Sequence, residues 1–144
     1  MKKFFIASLI TLTLVSSASA STTDKANSKA AAHLQANYTA AENITWTYTE
    51  NFQKASVTLG SQKVDVYYDE YGALIGSTKT MDFDKLPKWA LETITTEYTF
   101  PDYQLTDCIA FTDADNITNY FVSFDLGQEK IRLSISMAGN VALM

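Results

Sequence analysis

This chain is poor in the residues that enzymes use for chemistry. It has one cysteine, Cys108, and one histidine, His33. A single cysteine excludes an internal disulfide, and nothing in the sequence ties Cys108 to His33 as a nucleophile–base pair. No group of His, Cys, Asp or Glu has the spacing of a metal site. Glycine is scarce, with five in 144 residues, and none lies in a phosphate-cradling loop or a dinucleotide fingerprint. Cations are outnumbered, 11 to 16, for a formal charge of −5. That balance argues against nucleic acid and anionic membrane surfaces as partners, since both need basic patches. The expectation is a protein that is not an enzyme and takes no cofactor.

The start of the chain reads as an export signal. Lys2 and Lys3 precede an apolar run from Phe4 to Val15, and Ala18-Ser19-Ala20 supplies a small-x-small cleavage pattern. The run is short for a membrane span, and no cysteine follows it that could carry a lipid. Residues 1–20 are therefore expected to be a signal peptide, leaving a periplasmic or secreted protein of residues 21–144 with no membrane attachment. Loss of Lys2 and Lys3 takes the formal charge to −7. A lone thiol in an oxidising compartment is safest when buried, and Cys108 sits in the apolar segment 105–111.

What the chain does contain is a duplication. Residues 55–75 align without a gap on residues 122–142, at a constant offset of 67. Ser56/Ser123, Leu59/Leu126, Gly60/Gly127, Lys63/Lys130 and Gly72/Gly139 are identical pairs. Ahead of each copy lies a segment with helical spacing: Ala26, Ala30, Leu34 and Tyr38 in one, Leu86, Ala90, Ile94 and Tyr98 in the other. Pro87 suits the first turn of the second helix, and Phe100-Pro101 ends it. Strands are predicted at 44–49, 52–59, 62–69 and 73–80, then at 103–112, 118–127, 130–136 and 140–144. The fold class is α+β: two tandem helix-plus-antiparallel-strand repeats, about 25–80 and 82–144, forming one antiparallel sheet with helices packed on one face. Each repeat is too small for an independent core, so a single domain is expected.

The turns set a register. With Gly60 and Gly127 each opening a four-residue hairpin turn, Val57 pairs with Val66 and Phe124 with Leu133, all facing the helices. Ser56 then opposes Tyr67, Thr58 opposes Asp65, Asp125 opposes Arg132 and Ser123 opposes Ser134, all facing away.

Candidate sites are few. Asp113-Ala114-Asp115-Asn116 resembles a calcium loop but lacks the glycine and the distal glutamate such a loop needs; an Asp/Asn-rich hairpin tip accounts for it. The acid pairs Asp69-Glu70 and Asp82/Asp84 fall at a turn and at a helix start, where acids are favoured without catalysis. Carboxylate chemistry at Asp65 or Asp125 beside Arg132 is weaker than a simple cross-strand pairing. Sixteen aromatics follow the signal. Of these, Tyr67 and Phe121 have the parity that faces away from the helices, on a surface rich in Ser and Thr. Aromatics anchor interfaces, so Tyr67 and Phe121, with Asp65, Arg132 and Ser134 around them, are the candidate protein-binding residues. They are expected to be exposed.

The segment from Lys63 to Ile75, KVDVYYDEYGALI, resembles the strand–turn–strand of the PepSY-like, β-lactamase-inhibitor-like family of exported bacterial proteins. Leu86-Pro87 with Ala90, Ile94 and Tyr98 is similar to that family's helix opening. The resemblance runs from about residue 29 to the end of the chain. It implies two helix-plus-sheet repeats in one layered structure and, from better-studied relatives, binding and inhibition of enzymes through the open sheet face. No inhibitory motif matches residue by residue. The function expected is therefore a non-catalytic exported protein that binds another protein through that face, with enzyme inhibition as the form of binding the resemblance implies. The alternative is a carrier of a small ligand or peptide in a groove between sheet and helices, and a further alternative is self-association through an exposed edge strand.

Overall fold

The computed structural model describes residues 26–138 and 140–144. The expected signal peptide, residues 1–20, and Gly139 lie outside these residues.

Helix α1 spans Ser28–Asn37. Its first turn is held by Asn27, whose side chain accepts the Lys29 backbone N–H at 3.0 Å, as an N-cap should. Ala30 and Leu34, four residues apart on one stripe, are buried. Strands β1 (Glu42–Tyr48), β2 (Phe52–Leu59), β3 (Gln62–Asp69) and β4 (Leu74–Thr80) follow. A short 3-10 turn at Phe83–Lys85 leads to α2, Lys88–Glu97, which starts directly after Pro87 and buries Ala90 and Ile94. Strands β5 (Gln104–Asp113), β6 (Thr118–Leu126), β7 (Glu129–Ile135) and β8 (Val141–Leu143) complete the described chain.

All eight strands form one antiparallel sheet in sequential order from β1 to β8. Both helices lie on one face. Beneath α1, Ala55, Val57, Val64, Val66 and Tyr68 close around Ala30 and Leu34. Beneath α2, Cys108, Val122, Phe124, Leu133 and Ile135 close around Leu86, Ala90 and Ile94.

The expected register is off by two residues in both hairpins. Val57 pairs with Val64 and Ala55 with Val66; Phe124 pairs with Ile131 and Val122 with Leu133. Ser56 opposes Asp65 and Thr58 opposes Lys63, while Asp125 opposes Lys130, Ser123 opposes Arg132 and Phe121 opposes Ser134. The cause is the place of the glycine. Leu59 pairs with Gln62 and Leu126 with Glu129, so Gly60-Ser61 and Gly127-Gln128 are the two central residues. Both glycines have φ +61, as the first central position of a type II′ hairpin turn requires. A slip of two keeps every side chain on its expected face, which is why the helix-facing positions are nonetheless as expected.

Candidate functional site

The face away from the helices carries all five candidate residues. Asp65 and Tyr67 alternate with Val64 and Val66 on β3. Phe121 lies on β6, with Arg132 and Ser134 beside it on β7. They form two groups separated by β4 and β5, so Asp65 and Arg132 do not meet.

The expected exposure of the aromatics is wrong. Tyr67 is 1% exposed and Phe121 6%. Tyr67 packs edge-on against Phe52, ring centroids 5.8 Å apart, with Ile75 completing the cluster. Phe121 packs with Phe111, which is fully buried. Phe111 is accommodated by Gly76 on the neighbouring strand: a Cβ there would come within 2.6 Å of the Phe111 ring and of the Thr112 carbonyl. The ring covers the gap that a strand glycine leaves in a sheet surface. Ile109 and Thr78 are buried on the same face. The centre of this face is thus a floor of packed side chains. The alternation that placed Tyr67 and Phe121 there also places Phe52, Ile109 and Phe111 there; following it across neighbouring strands is the signal that would have revealed the floor.

The polar residues around the floor are partly satisfied. Ser56 Oγ donates to Asp65 Oδ1 at 2.5 Å, and Lys54 Nζ lies 3.7 Å from Asp65 Oδ2. Lys130 and Asp125 form a looser, half-exposed pair at 3.9 Å. Arg132 is half-buried, and its Nε is enclosed without a hydrogen-bond partner. Ser134 is half-buried too.

Two neighbouring tyrosines show how differently the faces treat a hydroxyl. Tyr68, under α1, meets His33 Nδ1 at 3.0 Å and packs against the ring of Trp46. The Tyr67 hydroxyl on the other face has no hydrogen-bond partner; Thr78 is close enough to influence it without reaching bonding geometry. Burial pushes both phenols well above their ordinary value, and for Tyr67 the Thr78 hydroxyl offsets part of the rise.

The reactive residues are apart. His33 touches the cluster under α1, whereas Cys108 is buried in the one under α2, so they form no catalytic pair. Burial, reinforced by Asp107 and Asp82, pushes the Cys108 thiol up to about 12, which leaves it protonated and unreactive at neutral pH. Among the described residues no group of three or more His, Cys, Asp or Glu side chains could hold a metal ion. Asp113 Oδ1 accepts the backbone N–H groups of Asp115 and Ile117, both at 2.9 Å, as in an ordinary Asx-type turn.

No protein-family model and no curated protein matches the chain. Solved structures do. A protein from Bacteroides eggerthii DSM 20697, provisionally named as periplasmic, superposes with a TM-score of 0.74 at 13% identity, over 84% of this chain and 89% of that one. A DUF2874 family protein from Bacteroides uniformis ATCC 8492 gives 0.71 at 13% identity, over 81% and 86%. A BLIP-like protein from Bacteroides fragilis NCTC 9343 gives 0.66 at 17% identity, over 79% and 81%. The chain has the BLIP-like fold. Identities this low establish the fold alone. They support the β-lactamase-inhibitor-like side of the resemblance and do not single out PepSY.

Proposed function

We propose that this chain is an exported, non-catalytic protein that binds another protein through the sheet face opposite its helices. The observation that carries this reading is the construction of that face. No helix covers it among the described residues, its aromatic floor is already packed, and half-buried polar groups surround the floor. A surface ordered in advance loses little conformational entropy on binding. Within it, Tyr67 and Phe121 shape the floor, while Asp65, Arg132 and Ser134 stand where a partner can touch them. A partner acceptor meeting the accessible part of the half-buried Arg132 guanidinium would form a charge-assisted bond, and bonds of this kind are among the stronger ones. The BLIP-like fold adds support by analogy, and inhibition of an enzyme is the form of binding that analogy suggests.

Export rests on the signal-like residues 1–20 and on the provisional periplasmic naming of a structural neighbour. Among the described residues no helix is long and apolar enough to cross a membrane. We also read the two halves as copies of one unit. Tyr38 and Tyr98 each donate a backbone N–H to the carbonyl four residues back, Leu34 and Ile94. The Asp69–Ala73 and Ser136–Asn140 turns carry the same backbone bond, at 2.9 and 3.0 Å.

The test is affinity capture from a native envelope extract with three baits: the native protein, an Asn119→Arg/Ser134→Arg variant of the sheet face, and a Glu92→Arg variant of the exposed side of α2. The reading expects one protein held by the native bait and the helix variant and lost by the sheet variant. Capture that is insensitive to the sheet variant, or absent with folded bait, overturns it.

A further inference from the structure

We propose that the β8 edge of the sheet pairs with the β8 edge of a second copy of this chain. This goes beyond the sheet-face reading and rests on different residues, so either can fail alone. Strand β8 ends the sheet and is bonded to β7 on one side only. The Met144 N–H donates to the Arg132 carbonyl at 2.9 Å, and the Ser136 N–H donates to the Asn140 carbonyl at 3.0 Å. Asn140 and Met144 thus turn their backbone groups inward, and by the alternation of an antiparallel ladder so does Ala142. Val141 and Leu143 therefore each direct an N–H and a C=O to the open edge, where no strand receives them among the described residues.

The two edges of the sheet are built differently. Edge strands are commonly blunted by charge or by a bulge. Strand β1 has both: Glu42, and a bulge between Glu42 and Thr45 where Asn43 takes φ +52. Strand β8 has neither. Its register with β7 is unbroken, and from Leu133 to Met144 no side chain is charged. Met137, Leu143 and Met144 are exposed, Leu143 by 67%. Leu143 lies beside Leu133 and Val141 beside Ile135, and Val141 packs on the cluster under α2. The apolar core thus runs out to this edge and stops there uncovered.

Two features commit the edge to a second copy. The chain is acidic, and like net charge keeps copies apart; the β8 edge is a place where they can meet without opposing charges. The segment Val141-Ala142-Leu143 is also self-complementary. A two-fold axis at Ala142 sets Val141 of each copy against the partner's Leu143. Both positions have outward backbone groups, so four N–H···O=C bonds form. On the helix side the paired apolar side chains join the two α2 clusters, and on the other face Ala142 meets its own copy without bulk. The sheet is extended sideways, so the face opposite the helices stays open.

The experiment is sedimentation equilibrium of the purified protein from about 5 µM to about 1 mM, with variants of each edge. So short a strand buries less than the roughly 1,200 Å² of a stable interface, and a reversible dimer with a Kd of about 10–500 µM is expected. Val141→Pro removes an outward donor at the first residue of the strand, where proline is tolerated. Leu143→Lys puts an edge charge into the apolar strip. Each is expected to weaken the dimer about tenfold or more, with the circular dichroism of the monomer unchanged. Thr47→Lys on β1 is expected to leave the dimer as it is. Hydrogen exchange reads the contact directly: the Val141 and Leu143 amides are expected to slow as concentration rises, and the inward-bonded Ala142 amide is not. A monomer at about 1 mM, a dimer that both β8 variants leave intact, or one that Thr47→Lys disrupts instead, overturns the proposal.

Discussion

Under the helices, Val66 and Leu133 are buried because α1 and α2 lie on them, and Ile94 of α2 is buried against the sheet in turn. On the other face, Tyr67, Phe111 and Phe121 are buried almost as completely, with no helix above them among the described residues. Aromatics there bury one another: Phe52 shields Tyr67, Phe111 shields Phe121, and Gly76 makes room for Phe111. One face gains its burial between layers and the other within a single layer. The lesson is that a sheet face without a helix is not an exposed face. Its floor can hold the fold together while only its surrounding polar groups are free to recognise a partner.

The comparison is broken most sharply at Phe111. Phe111→Ala is expected to cost about 3–5 kcal/mol, as for any well-packed aromatic, although the residue lies on the face without helices. Ile94→Ala, the matching change on the buried side of α2, is expected to cost about 2–4 kcal/mol. Urea unfolding of both variants measures the two faces on one scale; a loss at Phe111 far below that at Ile94 would mean that the far-face floor contributes little.

The two tyrosines sharpen it next. Tyr68→Phe removes a hydroxyl bonded to His33 and is expected to cost about 1 kcal/mol. Tyr67→Phe removes an unpartnered buried hydroxyl and is expected to be neutral or stabilising by up to about 1 kcal/mol. Equal losses in thermal unfolding would show that the Tyr67 hydroxyl is satisfied after all.

Alkaline pH probes the helix side. The native thiol of Cys108 keeps its proton up to about 12, whereas an unfolded one loses it near about 8.5. The native state thus binds more protons across that window, and stability falls as pH rises through it. Cys108→Ala should flatten the decline above pH about 9, measured by urea unfolding at several pH values. An identical slope would place the thiol in water. The smallest effect is expected at Ser134→Arg, within about 0.5 kcal/mol of native stability, since Ser134 lies outside the packed floor.

Much of this was legible in the sequence. Ala30 with Leu34 and Ala90 with Ile94 gave the helices their buried stripes, and strand alternation put Val57, Val66, Phe124 and Leu133 on the helix side. The register was missed because Gly60 and Gly127 were read as the residues before the turn centre, whereas their positive φ makes them its first central residue. The burial of Tyr67 and Phe121 was missed for a different reason. Alternation within one strand tells which face a side chain takes, but its exposure is decided by neighbours on other strands. Gly76 and Phe111 are 35 residues apart in sequence, and only strand pairing brings them together.

The most direct test of the account is the unfolding free energy of Phe121→Ala, measured in urea at neutral pH. A packed floor predicts a loss of about 3 kcal/mol or more. A loss below about 0.5 kcal/mol, the size of a surface substitution, would contradict it and return Phe121 to the exposed surface that strand alternation alone suggests.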